Sequence, residues 1–288
     1  MEVVLTSPQL KATINSFGAE LCSVKNNEGL EFIWQANKTI WARHAPVLFP
    51  IVGKLNNNSF VYNHKNYDLS QHGFARDLEF HLLGTTAAAC TFELKSTDIT
   101  KKMFPFDFVF QINYHLKQNC LTITYSVLNP SLEPIFFSVG AHPGFNCPLL
   151  STEKAEDYYL EFEKNNFLLT QLDNGLRLNT KTDLTLTNQK LPLKKELFDN
   201  DAMVFENNQI NTISLCSAKS KHKITLNCKN WPYFGIWTKK GNDNFLCLEP
   251  WFGIADTTSP TEDFSKKLGI IALRAQQQFV CEYSIEFN

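Results

Sequence analysis

Leu121-Thr122-Ile123-Thr124-Tyr125-Ser126-Val127 alternates without a break: Leu121, Ile123, Tyr125 and Val127 share one face, and the hydroxyl residues share the other. A period of two is the signature of a strand with one face buried and one wet, as in antiparallel sheets. The pattern recurs. Ile224, Leu226 and Cys228 alternate with Lys223, Thr225 and Asn227. Phe279, Cys281, Tyr283, Ile285 and Phe287 alternate with Val280, Glu282, Ser284 and Glu286. Short turn clusters such as Lys25-Asn26-Asn27-Glu28-Gly29 and Asn56-Asn57-Asn58-Ser59 punctuate these runs. No long amphipathic helix is legible; residues 265–269 and 152–156 suit one helical turn at most. There is no linker, low-complexity tract or fixed-period repeat. The expected fold is therefore all-β, a single domain over residues 1–288 built as one large antiparallel sandwich.

Composition agrees. Of 288 residues 43% are hydrophobic, and the 24 Phe suit the packed faces of sheets. A formal net charge of −2 with no basic block argues against nucleic acid as a partner. The eight Cys are scattered, with no C-x-x-C and no C-x-x-H, so neither a zinc site nor a disulfide framework is expected. Reduced thiols point to a cytoplasmic protein, although the even count is also compatible with a secreted, disulfide-bonded chain. The opening Met1-Glu2-Val3-Val4-Leu5-Thr6-Ser7-Pro8 lacks the basic and apolar segments of a signal peptide, and no apolar run is long enough to span a bilayer.

Five segments carry chemistry. In Ala141-His142-Pro143-Gly144-Phe145 the proline restricts His142 to extended backbone and fixes its ring direction, which suits a proton donor aimed at one atom. The alternative is an ordinary turn with a hydrogen-bonded core histidine. Glu249 ends the apolar run Leu246-Cys247-Leu248 and is followed by Pro250, Trp251 and Phe252. A carboxylate beside aromatic rings is partly desolvated, which raises its pKa toward the range useful for a base. The alternative is a Glu paired with a nearby cation. In Gln71-His72-Gly73-Phe74-Ala75-Arg76-Asp77, the glycine permits close approach to a ligand, and Arg76 offers a planar fork to substrate oxygens or to Asp77 and Glu79. The segment from Trp41 to Lys54 holds Pro46 and Pro50 and reads as an irregular crossing or edge strand. Its Arg43 and Lys54 either point into a cleft or cap the segment in solvent. Asp201 precedes an apolar strand start and lies either at a cleft edge or in a simple turn. His44, His64, His81, His115 and His222 have no motif around them and read as surface or core histidines.

Taken together and in order, His-Ala-Pro-Val-Leu-Phe-Pro at 44–50, Gln-His-Gly-Phe-Ala-Arg at 71–76, Ala-His-Pro-Gly-Phe at 141–145 and Cys-Leu-Glu-Pro-Trp at 247–251 resemble the aldose 1-epimerase (galactose mutarotase) family, in its LacX-like branch. The likeness covers nearly the whole chain and implies a β-supersandwich. It further implies that His142 is the general acid, Glu249 the general base, His72 a sugar contact, and Asp201 similar to an Asp that holds sugar hydroxyls. Trp251 would offer an apolar face to the sugar ring. Galactose mutarotases carry Arg near position 54, where this chain has Lys54. Related hexose-6-phosphate epimerases place Arg in segments similar to those of Arg43 and Arg76.

The expected activity is interconversion of hexose anomers by acid–base ring opening, with no cofactor and no metal. The expected partner is a small sugar or sugar phosphate, with no membrane; oligomeric state is not legible. A hexose-6-phosphate 1-epimerase, or a non-catalytic carbohydrate-binding protein on the same sandwich, are the alternatives. Presence of both His142 and Glu249 argues against the binding protein, because binding alone needs no acid–base pair.

Overall fold

The computed structural model describes residues 1–242, 244–259 and 263–288. Its largest sheet has nine antiparallel strands, in the order Lys190–Pro192, Tyr158–Phe162, Thr212–Ser217, Lys223–Asn227, Gln278–Phe287, Cys120–Leu128, Val109–Lys117, Ala89–Lys95 and His81–Thr85. At its centre Ile123 lies opposite Tyr283 on one neighbour and Tyr114 on the other. Leu121, Ile123, Tyr125 and Val127 are all buried, as the alternation requires, and so are Cys281, Tyr283, Ile285 and Phe287.

The second sheet has eight strands. Seven run in the order Leu176–Thr185, Asn166–Asp173, Met203–Glu206, Tyr233–Trp237, Phe245–Phe252, Val139–Ala141 and Val47–Leu48, while Gly144–Asn146 also pairs with Phe245–Phe252. A three-stranded sheet of Glu2–Thr6, Leu10–Asn15 and Glu20–Asn26 adds Leu5, Ala12, Ile14 and Leu21 to the core. One continuous apolar core contains residues of all three sheets. Phenylalanines fill much of it: Phe49 stacks on Phe110 at 4.5 Å and meets Phe108 edge-on at 5.0 Å. Each fully buried ring contributes about 1.5–3 kcal/mol of burial free energy.

The proline-bracketed segment forms only the two-residue strand Val47–Leu48, at the sheet edge, as two prolines dictate. Two elements are absent from the sequence reading. The helix Asp98–Met103 is too short for a helical period to show, and a reciprocal Thr97–Thr100 capping box sets its start. The hairpin Asn166–Asp173/Leu176–Thr185 was hidden for another reason. Its second strand buries neither face, so no alternation marks it. No two of the eight cysteines are bridged. Among the described residues no helix is long and apolar enough to cross a membrane.

Candidate active site

The floor of the site is one face of the eight-stranded sheet. The strand Phe245–Phe252 pairs Trp251 with Gly140 and Cys247 with Gly144, on either side of His142-Pro143. His142 is two residues beyond Gly140 and two before Gly144; the same steps along the neighbouring strand reach Glu249. The sequence interrupts the strand at Pro143, yet the Pro143 carbonyl still accepts from the Leu248 N–H at 3.3 Å, and the register is kept. His142 and Glu249 are thus cross-strand neighbours, with Nε2 and Oε2 3.3 Å apart. On Glu249's other side the pairing partner is Gly235, which has no side chain to crowd the carboxylate. A Cβ there would lie 2.3 Å from the Trp251 indole, which covers both Gly235 and Gly140.

Both groups are buried, His142 at 8% and Glu249 at 2% exposure. Burial pushes His142 below the ordinary imidazole value, and the positive charges of Arg76 and Arg43 push it further. Burial holds Glu249 well above the usual carboxylate range; the Trp251 indole opposes this and the Asp201 charge adds to it. The sequence reading sought a neighbour that would raise His142, and the surroundings do the opposite. The favoured resting form is a neutral imidazole beside a protonated carboxyl. That form carries the same single proton as an imidazolium–carboxylate pair, so the two groups titrate as one unit.

Three rings fix His142. Trp41 stacks on it with centroids 5.0 Å apart, while Trp237 and His72 each meet it edge-on at 5.6 Å. Above this floor lies a cleft of about 310 Å³, a volume typical of small-ligand sites. Its lining includes His72, Arg76, His142, Asp201, Glu249 and Trp251, together with Trp41, Trp237, Gln71 and Gly175.

Two of the polar lining residues occupy the left-handed region, which is uncommon for residues other than glycine: His72 at φ 68° and Asp201 at φ 79°. The His72 Nδ1 accepts from the Gly53 N–H at 3.1 Å, so it carries no proton there. Its hydrogen is therefore on Nε2, which faces the Gln71 side-chain amide at 3.3 Å, and burial lowers the His72 pKa in the same sense. Asp201 accepts from the Ala202 N–H at 2.8 Å. Arg76 donates from Nη2 to the Gln71 carbonyl at 2.7 Å, and its Nε lies 3.7 Å from Asp77 Oδ2. Burial lowers Arg76 to about 10, still charged at neutral pH. Gly73 does not serve close approach to a ligand. A Cβ there would lie 2.3 Å from the Phe49 carbonyl oxygen, so its freedom serves backbone packing.

Arg43 and Lys54 lie outside the cleft lining. Arg43 pairs with Asp77 at 2.8 Å. Lys54 donates to the Asn174 carbonyl at 3.0 Å, tethering the hairpin turn that brings Gly175 to the cleft. Trp41 and Trp237 were not read as site residues. Trp237 had a faint signal, since Tyr233, Gly235 and Trp237 share a face beside Glu249. For Trp41 the chain gives none, because its stacking is made across the fold.

The chain matches the aldose 1-epimerase family model over residues 1–281. It belongs to the aldose 1-epimerase family. Among the family's curated relatives, the chromosomal protein LacX of Lactococcus lactis subsp. lactis is 30% identical over 268 residues, covering 88% of this chain and 89% of that protein. A galactose mutarotase related enzyme from Lactobacillus acidophilus superposes with a TM-score of 0.95 at 38% identity, covering 100% of this chain and 97% of that one. A galactose mutarotase-like protein from Lactobacillus casei ATCC 334 gives 0.92 at 31% identity, with both chains fully covered. The fold is accordingly galactose mutarotase-like, all-β with several antiparallel sheets, as the family resemblance implied.

Proposed function

We propose that the protein is an aldose 1-epimerase that interconverts the α and β anomers of a free hexose. The observation that carries this reading is the His142–Glu249 pair, 3.3 Å apart on the floor of a sugar-sized cleft. Moving the pair's one proton from Glu249 to His142 gives a carboxylate base and an imidazolium acid. Glu249 takes the proton from the anomeric O1 while His142 protonates the ring O5. The C1–O5 bond breaks, leaving the open-chain aldehyde. Rotation about C1–C2 presents the other carbonyl face, and closure reverses both transfers. The His72 Nε2–H, Arg76 and Asp201 supply polar partners for hydroxyls, and Trp251 and Trp41 supply apolar faces to the ring.

A hexose-6-phosphate is the second reading, favoured by Arg76 in the cleft lining and by Arg43, which shares its Asp77 partner from outside the lining. Asp77 lies 2.8 Å from Arg43 and 3.7 Å from Arg76 and offsets their charge, so the free sugar is the better fit. Polarimetry of freshly dissolved α-hexose is the test. Faster approach to anomeric equilibrium supports the reading. Saturable sugar binding without acceleration would make the protein a carbohydrate-binding module instead.

A further inference from the structure

Cys247 is the one donor-bearing residue of the site floor that the acid–base chemistry leaves unused. It precedes Glu249 by two residues on the strand Phe245–Phe252, so both side chains project from the same face. His142 joins them from the neighbouring strand. One donor atom from each residue, an imidazole nitrogen, a thiol sulfur and a carboxylate oxygen, all lie within 4.8 Å of one another. Tetrahedral ligation with bonds of about 2.0–2.2 Å sets N and O donors roughly 3.3–3.6 Å apart. His142 Nε2 and Glu249 Oε2 already stand at 3.3 Å.

We propose that His142, Cys247 and Glu249 form an inhibitory site for a thiophilic divalent cation of the Zn²⁺ type, with its fourth position open to the cleft. Zinc takes N, S and O donors together, and three protein ligands with one open position is a familiar zinc arrangement. Binding forms the metal–sulfur, metal–nitrogen and metal–oxygen bonds as two protons leave to solvent, one from the thiol and one from the His142–Glu249 pair. The same ion occupies the lone pairs that mutarotation needs, so catalysis stops. Mg²⁺ and Ca²⁺ call for oxygen ligands and are excluded by the thiol and imidazole. A second trio, Glu20, Cys22 and His44, is equally compact, but there one Glu20 oxygen already accepts the backbone N–H groups of His44 and Ala45 at 2.9 and 3.0 Å. It serves as the internal control.

The loss of activity rests on the epimerase reading; the metal site itself does not. The experiment titrates Co²⁺ by absorbance, and Zn²⁺ by inhibition, into wild type, Cys247→Ser and Cys22→Ser. The expected result is a thiolate-to-cobalt charge-transfer band in wild type and Cys22→Ser that is lost in Cys247→Ser. Zn²⁺ inhibition should be relieved by EDTA and weakened at least about tenfold in Cys247→Ser, whose basal rate is unchanged. Cys247→Ala replaces it if the buried serine unfolds the protein. A band that survives in Cys247→Ser, or disappears in Cys22→Ser, overturns the site. If wild type fails to accelerate mutarotation, the function falls, and the cobalt band still decides the metal site.

Discussion

His142 stands directly across the sheet from Glu249, and the antiparallel register that flanks them on both sides puts their side chains 3.3 Å apart. A slip of one residue would turn one of the two to the opposite face of the sheet. The acid–base pair is therefore held by strand pairing, with a rigidity that a loop would not provide.

Removing either member of the pair should slow mutarotation by roughly 10²–10⁴-fold. Glu249→Gln keeps the carboxyl's shape without its acidity, and His142→Asn keeps some hydrogen bonding without a useful acid. The double variant should cost little more than either single one, since the two act as a unit. Near-normal rates in a folded Glu249→Gln protein, checked by thermal melting, would move the chemistry elsewhere.

The pH profile should be bell-shaped, with apparent values belonging to the pair. At low pH the pair gains a second proton and loses its base. Because burial and the two arginines lower His142, this limb falls below the ordinary imidazole value of about 6.5. At high pH the pair loses its one proton and with it the acid. Because burial raises Glu249, this limb lies above the ordinary carboxylate value of about 4.3. Residual activity of Glu249→Gln should lack the low-pH limb, because no base is left to protonate, and should keep a fall toward high pH as His142 loses its proton. A low-pH limb at or above the ordinary imidazole value, read from kcat/KM, would show that His142 is not lowered.

Lys54 is expected to act through the hairpin turn and not on the sugar. Lys54→Met removes its bond to the Asn174 carbonyl, worth about 0.5–1.5 kcal/mol, so KM should rise about three- to tenfold with little change in kcat. Amide exchange of residues 173–176 should speed up in the same variant. A raised KM with unchanged exchange would mean that Lys54 reaches the sugar itself.

Free hexose should be preferred over hexose-6-phosphate, and Asp77 should set that preference. Asp77→Asn releases Arg43 and Arg76, so the kcat/KM ratio of phosphorylated to free sugar should rise about two- to fivefold, and less at high salt. An unchanged ratio would remove Asp77 as the discriminator.

Much of the architecture is a local property and was legible. Alternation in Leu121–Val127 and Phe279–Phe287 follows from one buried face per strand, and each of those strands sits at the centre of the large sheet. The hairpin Asn166–Asp173/Leu176–Thr185 escaped, because a strand wet on both faces leaves no hydrophobic period. The motifs around His72, His142 and Glu249 were legible as well, since a histidine before Pro or Gly and a glutamate before Pro-Trp stand out as residue types. What those side chains meet was not.

The sequence by itself determined an all-β chain with a histidine and a glutamate each followed by proline, because periodicity and proline geometry act over neighbouring residues; that Glu249 lies inside the strand Phe245–Phe252 and not at its end was settled by the pairing. Only the tertiary structure decided that His142 and Glu249 face each other, that Trp41 and Trp237 enclose the imidazole, and that Cys247 lies within reach of both. It also decided that Arg43 pairs with Asp77 and that Lys54 holds a hairpin turn. The physical reason is that register, burial and charge at the site arise from strands distant in sequence, and the desolvation that makes the pair neutral exists only once those strands are packed.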